Sequence, residues 1–268
     1  MATTEEIYAA QSEHRRRLVN SWPVEPGQRI LEIGCGQGDM TEVLAEAVGS
    51  DGNITAVDIA DPSYGAPLTL AEATNIIGES PIGDRIDFRF SFDILDPAVH
   101  FDPDSFDAIV MAHSSWYFAS PALLRLTLEK MRSWAKQLFF AEWDLQVHHE
   151  SQRAHFLAVS IQGQVELLRS ESESNVRTPL PKAQFEVLLD QSGWKLDSEQ
   201  KIDSPSLQDA DWEISMCQST SLTFARELAT DESFVKDIEG QLDRLNEIAL
   251  PETNRPLSCY SLVVHRPD

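Results

Sequence analysis

The chain has 268 residues, and its 44 acidic against 21 basic side chains give a formal net charge of −23 at pH 7. A field of that sign repels phosphate backbones and anionic lipid, so the composition argues against nucleic acid and membrane surfaces as partners, although the same acidity also favours solubility. No apolar run reaches the roughly eighteen residues of a membrane span, the first residues lack an apolar signal core, and the three cysteines have no metal-binding spacing. We therefore expect a cytoplasmic protein without a metal.

Residues 1–28 have helical composition and carry Tyr8, His14 and the basic run Arg15–Arg17. Side chains on such a helix either face a ligand or keep an exposed surface soluble. The pattern by itself favours neither interpretation.

The stretch Leu31–Met40 is the most informative part of the chain. An apolar run ends there at Gly34, Gly36 and Gly38, where positive φ angles and a close approach of the backbone to a ligand cost little. The spacing is G-x-G-x-G, one position shorter than the G-x-G-x-x-G of dinucleotide-binding turns. Glu32 precedes the turn, and its charge repels a pyrophosphate and attracts a cation. The turn therefore predicts a ligand with an ammonium or sulfonium group.

A second helix and strand follow this turn. The helix is predicted over residues 39–48, with Asp39 as its cap and Glu42 at the capping-box position. The apolar strand 53–58 then ends in Asp58. An acid about twenty residues past the glycine turn is where α/β cofactor folds bind a ribose. The alternative is an aspartate that merely caps a loop.

The third unit begins with a helix capped by Thr69, with Glu72 at the capping-box position, and continues into a strand over residues 85–90. Two acids follow this strand. Asp93 comes first, Asp96 competes with it for any binding role, and a plain surface aspartate is the third possibility.

The fourth and fifth strands are predicted over residues 106–112 and 137–141, joined by a helix over 121–136. Both strands run into polar and aromatic residues, which are His113–Phe118 after the fourth strand and Glu142–Leu145 after the fifth. Since open parallel sheets bind ligands at the carboxyl ends of their strands, these two segments are candidate walls of a substrate site.

Strand and helix alternate five times in roughly 115 residues, which predicts a doubly wound parallel α/β sheet. Beyond the fifth strand the pattern is less regular. We expect a helix over 148–173, a loop over 170–177, a helix over 181–193, a strand from Trp194, helices over 206–249 and a last strand over 257–264.

Glu32–Gly38 resembles the first motif of the class I S-adenosylmethionine (SAM) dependent methyltransferases, and Asp107–Val110 resembles the fourth-strand motif of the same family. The resemblance implies SAM as cofactor, with Asp58 on its ribose and Asp93 on its adenine amino group. The cofactor-binding residues that it implies are Glu32, Gly34, Cys35, Gly36, Gly38, Asp58, Ile59, Asp93, Ile94, Ala112 and His113.

The same resemblance implies a mostly parallel, seven-stranded Rossmann-like sheet. It divides the chain into an N-terminal helical lid over residues 1–28 and a SAM-binding α/β domain over 29–268, with helical insertions at about 148–180 and 206–249. In the family the sixth and seventh strands form a hairpin, so the second insertion is a departure from the pattern. The N-terminal helix is expected to lie across the cofactor.

The family implies an enzyme that transfers the SAM methyl group to a small organic acceptor by in-line displacement. The sulfonium already activates the methyl, so the protein mainly aligns the acceptor at about 3 to 3.5 Å and excludes water. A hydroxyl or carbon acid also needs a base, for which His113 is the first candidate and Glu142 the second, with His148 and His149 behind them. Each histidine has a structural role as its alternative. The residues expected to contact substrate are Tyr8, Trp116, Tyr117, Trp143 and His148.

Three other functions stay open at this point. The acceptor is alternatively a protein or peptide, and a protein that binds SAM without methylating would carry the same motifs. A nicotinamide oxidoreductase is disfavoured by Glu32 and by the glycine spacing. Core packing is the alternative role for the aromatic residues after the fourth and fifth strands. The oligomeric state and the acceptor atom are not predicted.

Overall fold

The computed structural model describes residues 3–170, 172 and 174–267. The predictions made for the chain termini and for the segments 148–173 and 170–177 also include residues outside these ranges, namely Met1, Ala2, Glu171, Glu173 and Asp268.

Within the described residues, seven strands form one sheet. They are β1 (Arg29–Ile33), β2 (Asn53–Val57), β3 (Ile86–Arg89), β4 (Ala108–Ala112), β5 (Gln137–Trp143), β6 (Lys195–Ile202) and β7 (Cys259–His265). The α-helices of the same ranges are α1 (Thr4–Ser21), α2 (Asp39–Val48), α3 (Leu70–Gly78), α4 (Pro121–Met131), α5 (Arg153–Glu166), α6 (Lys182–Gln191), α7 (Asp209–Leu228) and α8 (Glu232–Ile248).

The strand order across the sheet is β3-β2-β1-β4-β5-β7-β6. β1 to β5 pair in parallel, and β7 lies antiparallel between β5 and β6. The order reverses between β1 and β4, and the carboxyl ends of strands at such a reversal open a crevice for a ligand. The predicted seven-stranded, mostly parallel α/β sheet is confirmed.

The apolar residues cover both faces of this sheet. One cluster includes Leu18 and Trp22 of the α1 region, and the cluster on the other face includes Trp134 and Trp194. A third apolar cluster joins α5 to α7 and α8, so the two insertions pack mainly against one another. None of the described helices combines the length and the hydropathy needed to cross a lipid bilayer.

Two predicted helix starts have different outcomes. The capping box of α3 is confirmed, because Thr69 Oγ1 accepts from the Glu72 amide at 3.2 Å and Glu72 Oε2 accepts from the Thr69 amide at 2.8 Å. The predicted cap of α2 at Asp39 is wrong, since the N-cap is Gly38 in the left-handed region (φ 94°) without a side-chain hydrogen bond. The first amides of α2 are therefore left open to a ligand.

Three predicted helices are shorter than expected, and one of them is α5, which spans Arg153–Glu166 instead of 148–173. α1 ends at Ser21 rather than at residue 28, because Trp22 is extended (φ −106°, ψ 150°) ahead of Pro23, and the residue before a proline is disfavoured in the helical region. α4 ends at Met131 rather than at residue 136, because the chain turns there to bury the indole of Trp134 in the core.

β5 is longer than predicted, and this moves two site residues. Glu142 and Trp143 pair with Tyr260 and Cys259 of β7, so they belong to the strand instead of following it. The expected position of Glu142 past the strand end was therefore wrong. Its side chain is 1% exposed and held within the sheet.

Candidate active site

The turn after β1 has the geometry that its glycines predict. Gly34, Gly36 and Gly38 have φ angles of 79°, 53° and 94°, a region that L side chains rarely adopt. A Cβ on Gly34 would lie 2.5 Å from the Cβ of Ser114, so this glycine lets β1 approach the loop after β4. A Cβ on Gly36 would meet no atom within 4 Å. The turn therefore surrounds an open cradle at Gly36.

Asp58 holds this cradle in place. Its Oδ2 accepts the Gly36 N–H at 2.9 Å, and its Oδ1 accepts the Ala60 N–H at 2.9 Å. A carboxylate has about four lone-pair positions, so Asp58 keeps acceptor capacity for ligand hydroxyls while it orders the turn. The structure thus brings the predicted ribose acid and the predicted glycine turn together.

Glu32 is buried beneath the turn. It is 2% exposed, and its Oε2 accepts the Thr41 hydroxyl of α2 at 2.6 Å. Burial raises the pKa of Glu32 to about 8, and the neighbouring charges of Asp39 and Asp58 add to this effect, against the hydrogen bond from Thr41. A cation brought close to Glu32 favours its ionised form.

Of the other residues predicted to bind the cofactor, two are exposed and two are buried. Ile59 is 69% exposed beside Asp58 and offers an apolar surface. Asp93 is exposed, and its Oδ1 accepts the Leu95 N–H at 2.8 Å. The side chains of Cys35 and Ile94 are buried in the apolar core, so any contribution that they make to a ligand comes through their backbone.

His113 and Glu142 form a hydrogen-bonded pair at the carboxyl ends of β4 and β5. His113 has a left-handed backbone (φ 52°), and its N–H donates to the Ala141 carbonyl at 2.9 Å. Its Nδ1 lies 3.3 Å from Glu142 Oε1, while Glu142 Oε2 accepts from the amide and the hydroxyl of Ser115 at 3.2 and 2.7 Å. An ionised carboxylate only accepts hydrogen bonds, so the pair assigns the proton of His113 to Nδ1 and a lone pair to Nε2.

That lone pair faces a buried cluster that the sequence did not indicate. His113 Nε2 lies 2.8 Å from Nε2 of His14 and 3.6 Å from Sγ of Cys259. The Sγ of Cys259 also lies 3.8 Å from His14 Nε2. The Nδ1 of His14 lies 2.7 Å from the Ser204 hydroxyl, and the Trp143 ring stacks on His14 with an interplanar angle of 3°. Burial, and then His113, lower the pKa of His14 well below its usual value, so this ring is neutral at pH 7.

The remaining predicted substrate residues lie around this centre. Tyr8 is exposed on α1 and donates to Glu42 of α2 at 2.7 Å. Trp116 is buried in the core, and His148 bonds Asp144 through Nε2 at 3.1 Å. Tyr117 has an exposed ring, whereas desolvation and then Tyr64 raise the pKa of its hydroxyl.

The charges of Glu213, Glu142 and Asp58 also raise the pKa of Tyr117. His149 and Gln152 form a local turn before α5. The structure therefore gathers His113, Glu142 and Trp143, and it leaves Tyr8 and His148 at the periphery.

Sequence reasoning missed Cys259, Ser204, Ser115 and Thr41 as partners of site residues. Cys259 and Ser204 lie 245 and 190 residues from His14, which both contact. Ser115 and Thr41 are nearer to their partners Glu142 and Glu32, at 27 and 9 residues. Their positions carry no periodic or motif signal, so only the packing of the elements identifies them.

The comparisons with known proteins agree with this geometry. A family model described as a methyltransferase domain matches residues 30–137. The crystal structure of a cyclopropane-fatty-acyl-phospholipid synthase-like protein from Lactobacillus casei ATCC 334 is 33% identical, with a TM-score of 0.88, and the match covers 99% of this chain and 94% of that chain.

Two curated relatives match over shorter segments. The methyltransferase phomM′ of Diaporthe leptostromiformis is 32% identical over 169 residues, which cover 53% of this chain and 42% of that protein. The malonyl-[acyl-carrier protein] O-methyltransferase of Anoxybacillus flavithermus is 29% identical over 168 residues, which cover 63% and 59%. The chain thus spans less than two thirds of the length of these two relatives.

The fold and the glycine turn together define a Rossmann-like cofactor-binding domain. The chain belongs to the class I SAM-dependent methyltransferases. The family predicted from the sequence and the SAM cofactor that it implies are confirmed at this level, whereas the methyl-transfer activity and the roles of individual site residues stay predictions.

Proposed function

We propose that this protein transfers the methyl group of SAM to a small organic acceptor at the carboxyl ends of β1, β4 and β5. The observation that carries the proposal is the open cradle at Gly36, ordered by Asp58 and placed where the strand order reverses. When bound there, SAM supplies a methyl group that its sulfonium already activates.

Residues of this chain then hold the cofactor along the strand ends. Asp58 accepts hydrogen bonds from the ribose hydroxyls. It uses the lone pairs left free by its hydrogen bonds to the N–H groups of Gly36 and Ala60. The exposed Ile59 covers one face of the adenine. Asp93 accepts a hydrogen bond from the adenine amino group. Glu32, from beneath the turn, stabilises the positive charge of the methionine part.

The acceptor lies beside His113 in this proposal. Glu142 orients the imidazole through Nδ1, so Nε2 is the atom that takes the proton of a hydroxyl or carbon acid once its contact with His14 opens. Trp143 and Tyr117 line the same space, and α1 and the α5, α7 and α8 insertions act as a lid that excludes water.

A small acceptor is supported by two observations. A net charge of −23 repels nucleic acid, and the relative from Anoxybacillus flavithermus is named for a small acyl group on its carrier protein. A peptide acceptor would need an open groove, whereas His14 of α1 contacts His113 directly and closes the strand ends.

The direct test is product formation. The purified chain is incubated with SAM labelled in its methyl group and with panels of small hydroxyl, carboxyl, amine and thiol acceptors. We expect S-adenosylhomocysteine and a labelled small product with at least one panel. SAM binding without either product in every panel and in a peptide panel would favour a SAM-binding protein that does not methylate.

His113→Ala is expected to lower kcat by roughly 100-fold or more with the acceptor found in this way, because proton transfer by a positioned side chain contributes about that much. SAM affinity, measured by calorimetry, is expected to stay within about twofold, since the cradle is held by Asp58. His100→Ala, at an exposed histidine after β3, is the matched control. Full turnover of His113→Ala would remove this residue from the mechanism.

A further inference from the structure

We propose that His14, His113 and Cys259 form a binding site for one borderline-soft divalent metal ion, for which Zn²⁺ is the probe. The three donor atoms all lie within 4.8 Å of one another. They come from α1, from the end of β4 and from the start of β7. Because these elements are far apart along the chain, no residue spacing in the sequence indicates the cluster.

The distances suit tetrahedral coordination. Zn–N bonds of about 2.0 to 2.1 Å and Zn–S bonds of about 2.3 Å place sulfur roughly 3.6 Å from nitrogen and the two nitrogens roughly 3.3 Å apart. Cys259 Sγ already lies 3.6 and 3.8 Å from the two Nε2 atoms. The two Nε2 atoms are 2.8 Å apart, which suits a hydrogen bond between the rings, so metal entry moves the imidazoles apart by about 0.5 Å.

Both histidines have the outer hydrogen bond that metal-ligating imidazoles need. In metal sites the ring nitrogen opposite the metal donates to a carboxylate or another acceptor, which fixes the tautomer and the ring orientation. Glu142 takes this place at His113 Nδ1, and the Ser204 hydroxyl takes it at His14 Nδ1. Without metal, the 2.8 Å contact makes His14 Nε2 the donor to the Nε2 lone pair of His113. On metal binding His14 takes the other tautomer, in which Nδ1 donates to the Ser204 hydroxyl, and both Nε2 lone pairs then face the metal beside the Cys259 sulfur. Imidazole and thiolate together are a donor set preferred by zinc.

The cluster has three protein ligands among the described residues, which is the ligand count of sites that keep one position open. His14 and Cys259 are fully buried, and the side chain of His113 is 13% exposed. The open position is therefore reached from the edge of His113. The metal accepts an oxygen or sulfur atom of a small molecule there.

Metal binding would change the role of His113 in the proposed function. The metal site itself does not depend on that function. In the loaded protein His113 Nε2 is a ligand and takes no proton. A hydroxyl or thiol acceptor bound at the open position would instead lose its proton to solvent, because coordination lowers its pKa.

The test measures metal rather than turnover. The full chain is stripped with a chelator, reloaded with Zn²⁺, desalted and analysed by mass spectrometry of the metal, with Co²⁺ loading as a second measurement. We expect about one Zn²⁺ per chain and, with Co²⁺, a thiolate-to-metal absorption band in the near ultraviolet, since the cysteine sulfur is a ligand. Cys259→Ser is expected to abolish the band and to reduce retained Zn²⁺ at least tenfold.

Cys217→Ser is the matched control, because Cys217 is equally buried but lies in α7, away from the cluster. It is expected to keep both the metal and the band. Circular dichroism of the stripped variants checks folding, and His14→Gln replaces Cys259→Ser in the comparison if the latter is unfolded. The proposal is overturned if the wild-type chain retains no Zn²⁺ and shows no cobalt band, or if the folded ligand variant retains as much metal as Cys217→Ser. Calorimetry with SAM on the stripped wild-type chain tests the proposed function separately.

Discussion

Gly36→Val is expected to weaken SAM binding by at least roughly 100-fold, or about 2.8 kcal/mol, while the chain still folds. The added Cβ meets no protein atom within 4 Å, so the folded state suffers only the backbone strain of a β-branched residue at φ 53°, on the order of 1 to 3 kcal/mol. The branched side chain then occupies the cradle that a ligand needs. Calorimetric titration with SAM gives the affinity, and the thermal midpoint reports the strain.

Gly27→Val separates the two effects. Gly27 also has a positive φ (87°) and open space around its Cβ, but it precedes β1 and lies at the opposite edge of the sheet. We expect this control to lose a similar amount of stability and to keep its SAM affinity. An unchanged affinity in Gly36→Val would contradict the cofactor site, and an equal loss in both variants would show that strain alone weakens binding.

The second large effect is a dependence of stability on pH that Glu32 controls. Its folded pKa is about 8 against 4.5 for a free glutamate, with burial as the main cause. Because the folded pKa is the higher one, the contribution to stability is complete below pH 4.5 and is lost as the pH rises through 8. The ligand-free protein is expected to lose roughly 4 to 5 kcal/mol from this group between pH 4.5 and pH 9.

Glu32→Gln keeps the shape of the side chain and cannot ionise. Relative to the wild type, it is expected to gain stability as the pH rises from 5 to about 8 and then to level off, as measured by urea unfolding at each pH. Glu46→Gln, at an exposed position of α2, is the control and is expected to track the wild type. A constant difference between wild type and Glu32→Gln over this range would show that Glu32 does not titrate there.

In the wild type, bound SAM is expected to offset the stability that ionisation of Glu32 removes at high pH. A cation beside Glu32 favours the ionised carboxylate, so SAM affinity rises with pH up to about 9 and binding at pH 7 releases a proton. Calorimetry in two buffers of different ionisation enthalpy counts that proton. Glu32→Gln should show no pH dependence of this origin.

Local chemistry made much of the fold predictable. The glycines after β1, the capping box at Thr69 and the apolar runs of the parallel strands are short-range signals, and the structure has each of them where the sequence indicated it. Asp39 shows the limit of such signals. It matched a capping pattern, but the left-handed Gly38 already begins the helix.

What the sequence determined by itself is the glycine turn and the acid that orders it, because one contiguous turn and the next strand end supply the cradle at Gly36 and Asp58. The rest of the site was decided only by tertiary structure. β7 lengthens β5 and draws Glu142 into the sheet, and it brings Cys259 within 3.8 Å of His14, 245 residues away along the chain. Contacts over such separations depend on how the elements pack and leave no periodicity in the sequence.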